Sequence, residues 1–557
     1  MNQPRSDILT SPIAIVGGGP VGLMLALFLD RHGVKSVVFN EEHVTRWHPK
    51  GSTHNSRTME HYRRLGISEK VRKLGLPQDH PTDVAYFTRF TEWELARLRM
   101  PSELEQQQRV AASGTTDQVP EPIHRANQMY VERLLLERAQ TRSNITLRFG
   151  SRVVEFRENA ENVNVRVESG SSGGSETWQA RFLVGCDGAQ SVVRRALGIR
   201  YEGFEALQQA FHGGRMLATY LRAPTLSREF VGKRRAWQYW AINPEVRTAL
   251  ITLNGDDEFL MFSKPADPSL APDDAAIAGL VQRCAGAEIP VTIIGHRPWT
   301  AGVALVAERF GAGRVLLAGD AVHLFTPVGG FGMNTGIEDA ANLSWKLAAM
   351  IQGWGEPHLL STYEKERKPI ATRNTVAARQ LAQQYGAINI PPTIEAHTAV
   401  GEAARREVGA FLATFGEQFA SIGVQLGARY DESPIIIPDG TPPTDDFTRY
   451  TPSSVPGGRA PHVWMDYGRG IGSSLFDHFG VGFTLLRLGP RIAETTRFET
   501  AANERGVPVR VLDVTAPGAR DLYERNLILI RPDQHIAWRG DESPVDPDQV
   551  LARVVGQ

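Results

Sequence analysis

Two cysteines in 557 residues are too few for a disulfide framework, and Cys186 and Cys284 supply no closely spaced metal-ligand set. A reducing, cytoplasmic setting is the expectation. Long apolar runs are missing too. No stretch of 18 apolar residues occurs, which argues against a membrane span, and the first apolar run, from Ile13, is broken by Gly17, Gly18, Gly19 and Pro20 before it could serve as a secretion signal. Neither sign of charge is in excess: Lys plus Arg number 61 and Asp plus Glu 62, a net charge of −1. The basic surplus that draws proteins onto phosphate backbones is absent, so nucleic acid is not an expected partner. The 15 histidines, among them His43, His48, His54 and His61, fall at spacings that assemble no recognisable ligand set, and no metal is expected. What remains is ordinary globular composition, 41% apolar and 22% charged, at a length that favours several domains.

The chain opens with a βαβ pattern. Ile13 to Val16 reads as a buried strand, Val21 to Leu29 as a buried helix stopped at Gly33, and Val37 to Phe39 as a second strand. Between the first strand and the helix, Gly17, Gly19 and Gly22 form G-x-G-x-x-G. The first glycine permits the tight turn, the second lets backbone approach a pyrophosphate, and the third lets helix pack on strand, leaving helix N–H groups for the diphosphate. The second strand of such a unit ends in an acidic residue for the ribose hydroxyls. Here it ends Phe39-Asn40-Glu41-Glu42, so either Asn40 or Glu41 takes the ribose, or the glutamates are solvated loop charges.

Farther on, Val153 to Phe156, the alternating Val163, Val165 and Val167, and Trp178 to Val184 read as a β-meander. Residues 205 to 263 carry aromatic strand-like runs, and Val315 to Leu317 restores a buried strand ahead of a long helix, Gly336 to Met350. Six prolines between residues 434 and 458 suggest a linker before a small α/β module. The expected architecture is α/β: a Rossmann-type domain in two parts (1–200 and 299–385), a sheet-rich substrate domain (201–298), a helical segment and linker (386–454), and a C-terminal domain (455–557).

Three segments carry a resemblance. With the glycine turn, FLVGCDGAQS (182–191) and RVLLAGDAVHLFTPVGGFGMNTGIED (314–339) resemble the para-hydroxybenzoate hydroxylase-like, single-component flavoprotein aromatic hydroxylases, with phenol and chlorophenol hydroxylases as nearer relatives. PGGRAPHVW, GFTLL and LILIRPDQHIAWR resemble the thioredoxin-like tail of that subgroup. The resemblance implies FAD as cofactor, with Asp320 on the ribityl chain, Arg57 and Gln128 contacting FAD, and Asp187 shared between FAD and the nicotinamide cofactor. The backbone at Gly332, Met333 and Asn334 would face the flavin pyrimidine end, where helix N–H groups stabilise negative charge. It also implies NADPH or NADH as co-substrate, molecular oxygen, a C4a-hydroperoxyflavin oxygenating a phenolic or related arene, and a homodimer as the ordinary oligomeric expectation. The chain has no second G-x-G-x-x-G and no Cys-x-x-Cys, unlike a two-dinucleotide disulfide reductase.

The phenol base cannot be read from the sequence. His54, three residues before Arg57 in a segment that faces the active site in the resembling family, is the first pocket candidate; Gly51-Ser52-Thr53-His54 lacks the aspartate of some phenol hydroxylases, which argues for another base or a substrate activated differently. His212 and Tyr239, with Tyr220 and Trp237, are candidate walls of the arene pocket, and Pro327 would present its neighbouring backbone to substrate. Two alternatives remain: a halogenase-like enzyme, although Trp237-Gln238-Tyr239-Trp240 lacks the W-x-W-x-I-P spacing, and a non-catalytic FAD-binding protein. The C-terminal module contains no cysteine, so thiol–disulfide chemistry is impossible there.

Overall fold

The computed structural model describes residues 8–170, 174–205, 213–265, 273–419, 421–465, 468–470, 472–489 and 493–557; the candidate His212 lies outside them. The α/β expectation holds. Strand Leu9–Val16 runs parallel to Ser36–Asn40 on one side and to Ser175–Gly185 on the other. Ile145–Phe149 and Val315–Leu317 extend this parallel sheet at its two sides. Ile13 to Val16 are all buried, as a central strand covered on both faces requires. The meander forms as expected from Ser151–Glu158, Val163–Ser169 and Ser175–Gly185, paired antiparallel.

Helix Pro20–Arg31 starts with proline in its first turn, where a missing N–H costs nothing, and buries every residue from Val21 to Leu29. It packs against the long helix Phe331–Gln352, which ends at Gly353 in left-handed conformation. The packing is close because the partners are small. A Cβ on Gly336 would lie 2.7 Å from Val21 Cγ2, and one on Gly319 2.9 Å from the same atom. The glycine turn near residue 20 and the segment after residue 319 are therefore built onto each other.

A second sheet has seven strands, in the order Thr292–Ala301, Gly214–Arg222, Glu258–Ser263, Arg247–Thr252, Gln238–Ile242, Val84–Phe87 and Glu94–Leu98. The last two come from well before residue 201, so the sheet-rich domain is not a simple insertion at 201–298; a parallel pairing of Gln238–Ile242 with Val84–Phe87 joins the two stretches. Both faces are covered. Tyr239, Leu250 and Phe87 pack under helix Asp274–Ala285, whereas Tyr86, Met216, Trp237 and Trp240 face Tyr385, Val408 and Phe415 from helices Ser361–Gly386 and Ala399–Ala413 and the turn that follows.

In the C-terminal domain, Phe483–Leu488 pairs parallel with Val509–Val514 and antiparallel with Leu527–Ile530, which pairs antiparallel with Ile536–Gly540. With helices Thr496–Glu504 and Pro547–Val554, this is the thioredoxin-like order. Its core is not private. Trp345, Ala349, Trp354 and Ile370 join Phe483, Leu485, Phe498, Leu529 and Leu551 in one apolar cluster, with the Trp345 ring 6.0 Å from that of Phe483.

Candidate functional site

The glycine turn has the geometry its spacing predicts. Gly17 has φ +109°, and a Cβ there would sit 2.3 Å from the Cys186 carbonyl oxygen; a Cβ on Gly22 would sit 2.0 Å from that of Gly17. Gly19 differs, since a Cβ on it meets nothing within 4 Å. The first and third glycines thus serve the protein's own packing, and the second borders open space at the start of helix Pro20–Arg31, which no side chain caps. Asn40 braces the turn: its Oδ1 accepts from the Gly18 N–H at 3.0 Å, and its Nδ2 donates to the Glu42 carbonyl at 2.9 Å. Glu41 is exposed beside it.

Asp187 follows strand Ser175–Gly185. Its Oδ2 accepts from the Val192 and Val193 N–H groups at 2.7 and 3.2 Å, while its buried Oδ1 has no partner. An open glycine edge and an orphaned acceptor on the neighbouring strand fit a dinucleotide with ribose hydroxyls to donate. Asp320 lies half-buried in the turn Gly319–Ala321, where its carbonyl accepts from Tyr201 Oη at 2.5 Å. That turn is pinned by Asp339, which sequence reasoning did not single out. Fully buried, Asp339 accepts from the Gly319 N–H at 3.1 Å, meets His323 Nε2 at 2.7 Å and accepts from Arg367 Nε at 2.8 Å. Burial alone would raise its pKa; His323 and Arg367 outweigh that and hold the carboxyl below the usual range.

The second glycine segment bends sharply, with φ +82° at Gly329 and +69° at Gly330, and delivers helix Phe331–Gln352. A Cβ on Gly330 would lie 2.7 Å from Thr53 Cβ. Asn334 ties the bend in place: its Nδ2 donates to the carbonyls of Thr53 at 3.0 Å and Gly330 at 2.5 Å, and its Oδ1 accepts from the Asn55 N–H at 3.0 Å. Asn334 is buried and its amide is spent on these bonds, while Gly332 and Met333 stay half-exposed with the first-turn N–H groups.

Arg57 and Gln128 both have protein partners. Arg57 Nη1 donates to Glu60 Oε2 and Gln534 Oε1, both at 2.7 Å, and Nη2 to the Asp533 carbonyl at 2.8 Å, so its fork reaches the C-terminal domain. No signal in the sequence links residues so far apart. Gln128 opens helix Gln128–Gln140, its N–H on the Gly51 carbonyl at 2.8 Å and its Nε2 on Glu132 Oε1 at 2.5 Å.

His54 is wholly buried in the two-residue strand Thr53–His54, which pairs with His124–Arg125. Both ring nitrogens are engaged. Nε2 lies 3.1 Å from the Ala126 carbonyl and Nδ1 3.1 Å from Tyr62 Oη. Burial first, then the neighbouring His124, pushes its pKa down to about 3, so the ring is neutral, donating to Ala126 and accepting from Tyr62. This arrangement leaves no nitrogen for a substrate proton, a departure from the base role expected for it.

Tyr239 also faces away from the expected site. It sits in the cluster under helix Asp274–Ala285, with its Oη accepting from the Ala236 N–H at 2.7 Å and its ring 6.2 Å from that of Phe90. Alternation in the strand places Trp240 on the opposite face, stacked on Tyr385 at 4.7 Å, in the cluster that Val328, next to Pro327, also joins.

A parallel sheet whose glycine turn leaves open space at a helix N-terminus, beside an acidic strand end with an unpartnered acceptor, defines a protein of the dinucleotide-binding class. The comparisons narrow it. Residues 10–378 match the family described as FAD binding domain, and residues 453–557 match aromatic-ring hydroxylase, C-terminal. An FAD-dependent monooxygenase of Emericella nidulans is 31% identical, with 100% of this chain and 92% of that protein covered. The tetracenomycin B2 monooxygenase-dioxygenase of Streptomyces olivaceus is 30% identical, with 99% of each covered. Among solved structures, RebC soaked with chromopyrrolic acid and holding 7-carboxy-K252c superposes with a TM-score of 0.87 at 32% identity, covering 99% of each chain. The chain belongs to the FAD-dependent aromatic-ring hydroxylases. FAD supplies the redox and oxygen chemistry when bound, and the protein is an FAD-dependent aromatic monooxygenase.

Proposed function

We propose that this chain hydroxylates a planar, oxygen-bearing arene, using NADPH or NADH and molecular oxygen, in the space between the Gly329–Gly330 bend and the face of the second sheet that carries Met216, Trp237 and Trp240. The observation that carries the reading is the convergence on one place of the bend, through its contact with Thr53, and of the aromatic face, through Val328. Open space at Gly19 and the orphaned Asp187 Oδ1 support FAD on the glycine turn, with Asp320 and Glu41 beside it as candidate ribityl and ribose partners. The first turn of helix Phe331–Gln352, at Gly332 and Met333, offers N–H groups for the flavin's negative end. Aromatic walls orient a flat ring and exclude water, which protects the oxygen-transferring state. The tetracenomycin B2 monooxygenase-dioxygenase among its relatives supports a substrate larger than phenol. Free thiols at Cys186 and Cys284 support a reducing compartment such as the cytoplasm, and a homodimer is the simplest closed assembly.

Purified protein tests this. It should be yellow, and an accepted arene should accelerate NAD(P)H oxidation, consume oxygen and yield a product one oxygen atom heavier by mass spectrometry. Yellow protein that oxidises NAD(P)H with no arene gaining oxygen across a panel of phenols, naphthols and polycyclic quinols would overturn the hydroxylation reading. Light scattering of the eluting protein reads the oligomeric state.

A further inference from the structure

Arg125 is 6% exposed and, among the described residues, has no carboxylate within ion-pair distance. The buried arginines 57, 63, 367, 459, 531 and 539 each face one. Arg194 also lacks a carboxylate, but its Nη1 is spent on the Ala189 carbonyl and Tyr201 Oη. Among the described residues the Arg125 side chain has a single hydrogen bond, from Nη1 to Thr53 Oγ1, and its Nε is buried with no partner. Its guanidinium carbon lies 4.0 Å from the centre of the Trp237 ring, whose Nε1 is likewise buried and unpartnered.

The position gives this shortage its meaning. Thr53 abuts Gly330 and accepts from Asn334, so it belongs to the bend, and Trp237 belongs to the aromatic face. The guanidinium joins the two walls of the proposed arene site. One neutral hydrogen bond and an aromatic face offset only part of the cost of burying a cation, and removal of solvent pulls its pKa down to about 9. A counter-charge is wanted at this point, and the described chain provides none.

We propose that Arg125, with Trp237, forms a subsite for an anionic oxygen on the arene, a carboxylate or an ionised phenol, and thereby fixes which end of the substrate points away from the reacting carbon. This rests on the monooxygenase reading given above. A forked guanidinium suits either oxygen, accepts no proton from it, and gives a charge-assisted bond stronger than a neutral one. An arene bearing such an oxygen would supply the charge that the protein withholds, so recognition and neutralisation occur together.

The test uses FAD-loaded wild type, Arg125→Met and Arg125→Lys with paired probes, read by equilibrium dialysis. The carboxylate arm compares 2-naphthoate with naphthalene-2-carboxamide; the phenol arm compares 2-naphthol, with bound naphtholate read by absorbance, against 2-methoxynaphthalene. Wild type is expected to prefer one anionic probe over its neutral twin by about tenfold or more, as a charge-assisted bond to a buried group implies. Arg125→Met should erase that preference while FAD affinity and neutral-probe affinity stay within about twofold, and Arg125→Lys should restore part of it. The idea is overturned by equal losses for both members of a pair, by a wild type indifferent to charge in both arms, or by loss of FAD together with the probes. A changed flavin midpoint potential in Arg125→Met, with the anion preference intact, would also overturn it, because the counter-charge would then be the reduced cofactor. Failure of the monooxygenase reading shows elsewhere, as wild type that holds no FAD or does not oxidise NAD(P)H.

Discussion

Gly19→Ala is expected to fold as the parent does, yet bind FAD about a hundredfold more weakly, a loss of about 2.7 kcal/mol. The new methyl meets no protein atom within 4 Å, and the glycine's φ of −77° suits any L-residue, so the folded state bears no steric cost. The methyl instead occupies the space through which a pyrophosphate must approach the helix N–H groups. Gly17→Ala and Gly22→Ala are the contrast. Their methyls meet backbone carbonyl oxygens at 2.3 and 2.0 Å, and both variants should lose folded protein as well as colour. Flavin-fluorescence titration of the apoprotein beside its urea midpoint separates the two outcomes. A Gly19→Ala protein that retains FAD at parental affinity would place the diphosphate elsewhere.

Glu366→Ala is expected to cost about 3–5 kcal/mol of stability, the usual penalty for stranding buried charges. This carboxylate accepts from Lys346 Nζ at 2.7 Å, from Arg531 at 2.7 and 2.9 Å, from Asn342 at 2.7 Å and from Ser433 Oγ at 2.6 Å, all out of solvent. Arg531 comes from the C-terminal domain and keeps Asp533 as a partner, so the substitution strands Lys346 at the seam. Burial alone would raise the pKa of Glu366, but Arg531 and Lys346 outweigh it and bring it from 4.5 down to about 2. A depressed carboxyl contributes stability that is complete above the unfolded value of 4.5 and is lost as pH falls toward 2. The gap between wild type and Glu366→Ala, measured as urea midpoints, should accordingly shrink across that window. A gap independent of pH would show that the loss is one of packing and not of charge.

The opening βαβ unit, the meander, the return strand at Val315 and the long helix behind the glycine bend were legible because each is a local pattern: a period, a turn residue or a stop. The aromatic sheet was read as sheet, and of its candidate wall residues Tyr220 and Trp237 lie on the face that Val328 joins while Tyr239 lies on the other. Alternation separates Tyr239 from Trp240, yet both faces of that strand are buried, one by helix Asp274–Ala285, and hydrophobicity alone cannot say which face looks toward the cofactor. Arg57 and His54 show a different limit. An arginine and a histidine beside a cofactor motif invite a cofactor contact and a base role, but their partners, Gln534 and Asp533 for one and Tyr62 and Ala126 for the other, are set by tertiary packing across as many as 477 positions. Arg125 went unnoticed because a missing partner leaves no mark on a sequence.

Helix Phe331–Gln352 begins in the glycine bend, and three turns on its Asn342, Trp345 and Lys346 bear on Asp533 and Glu366. It is a stiff rod whose later turns are gripped by a module that contains no cysteine. Engineering for better coenzyme retention can therefore work at a distance, by retouching residues 531–535, and a graft that exchanges this tail for another would need to carry its matching charges with it.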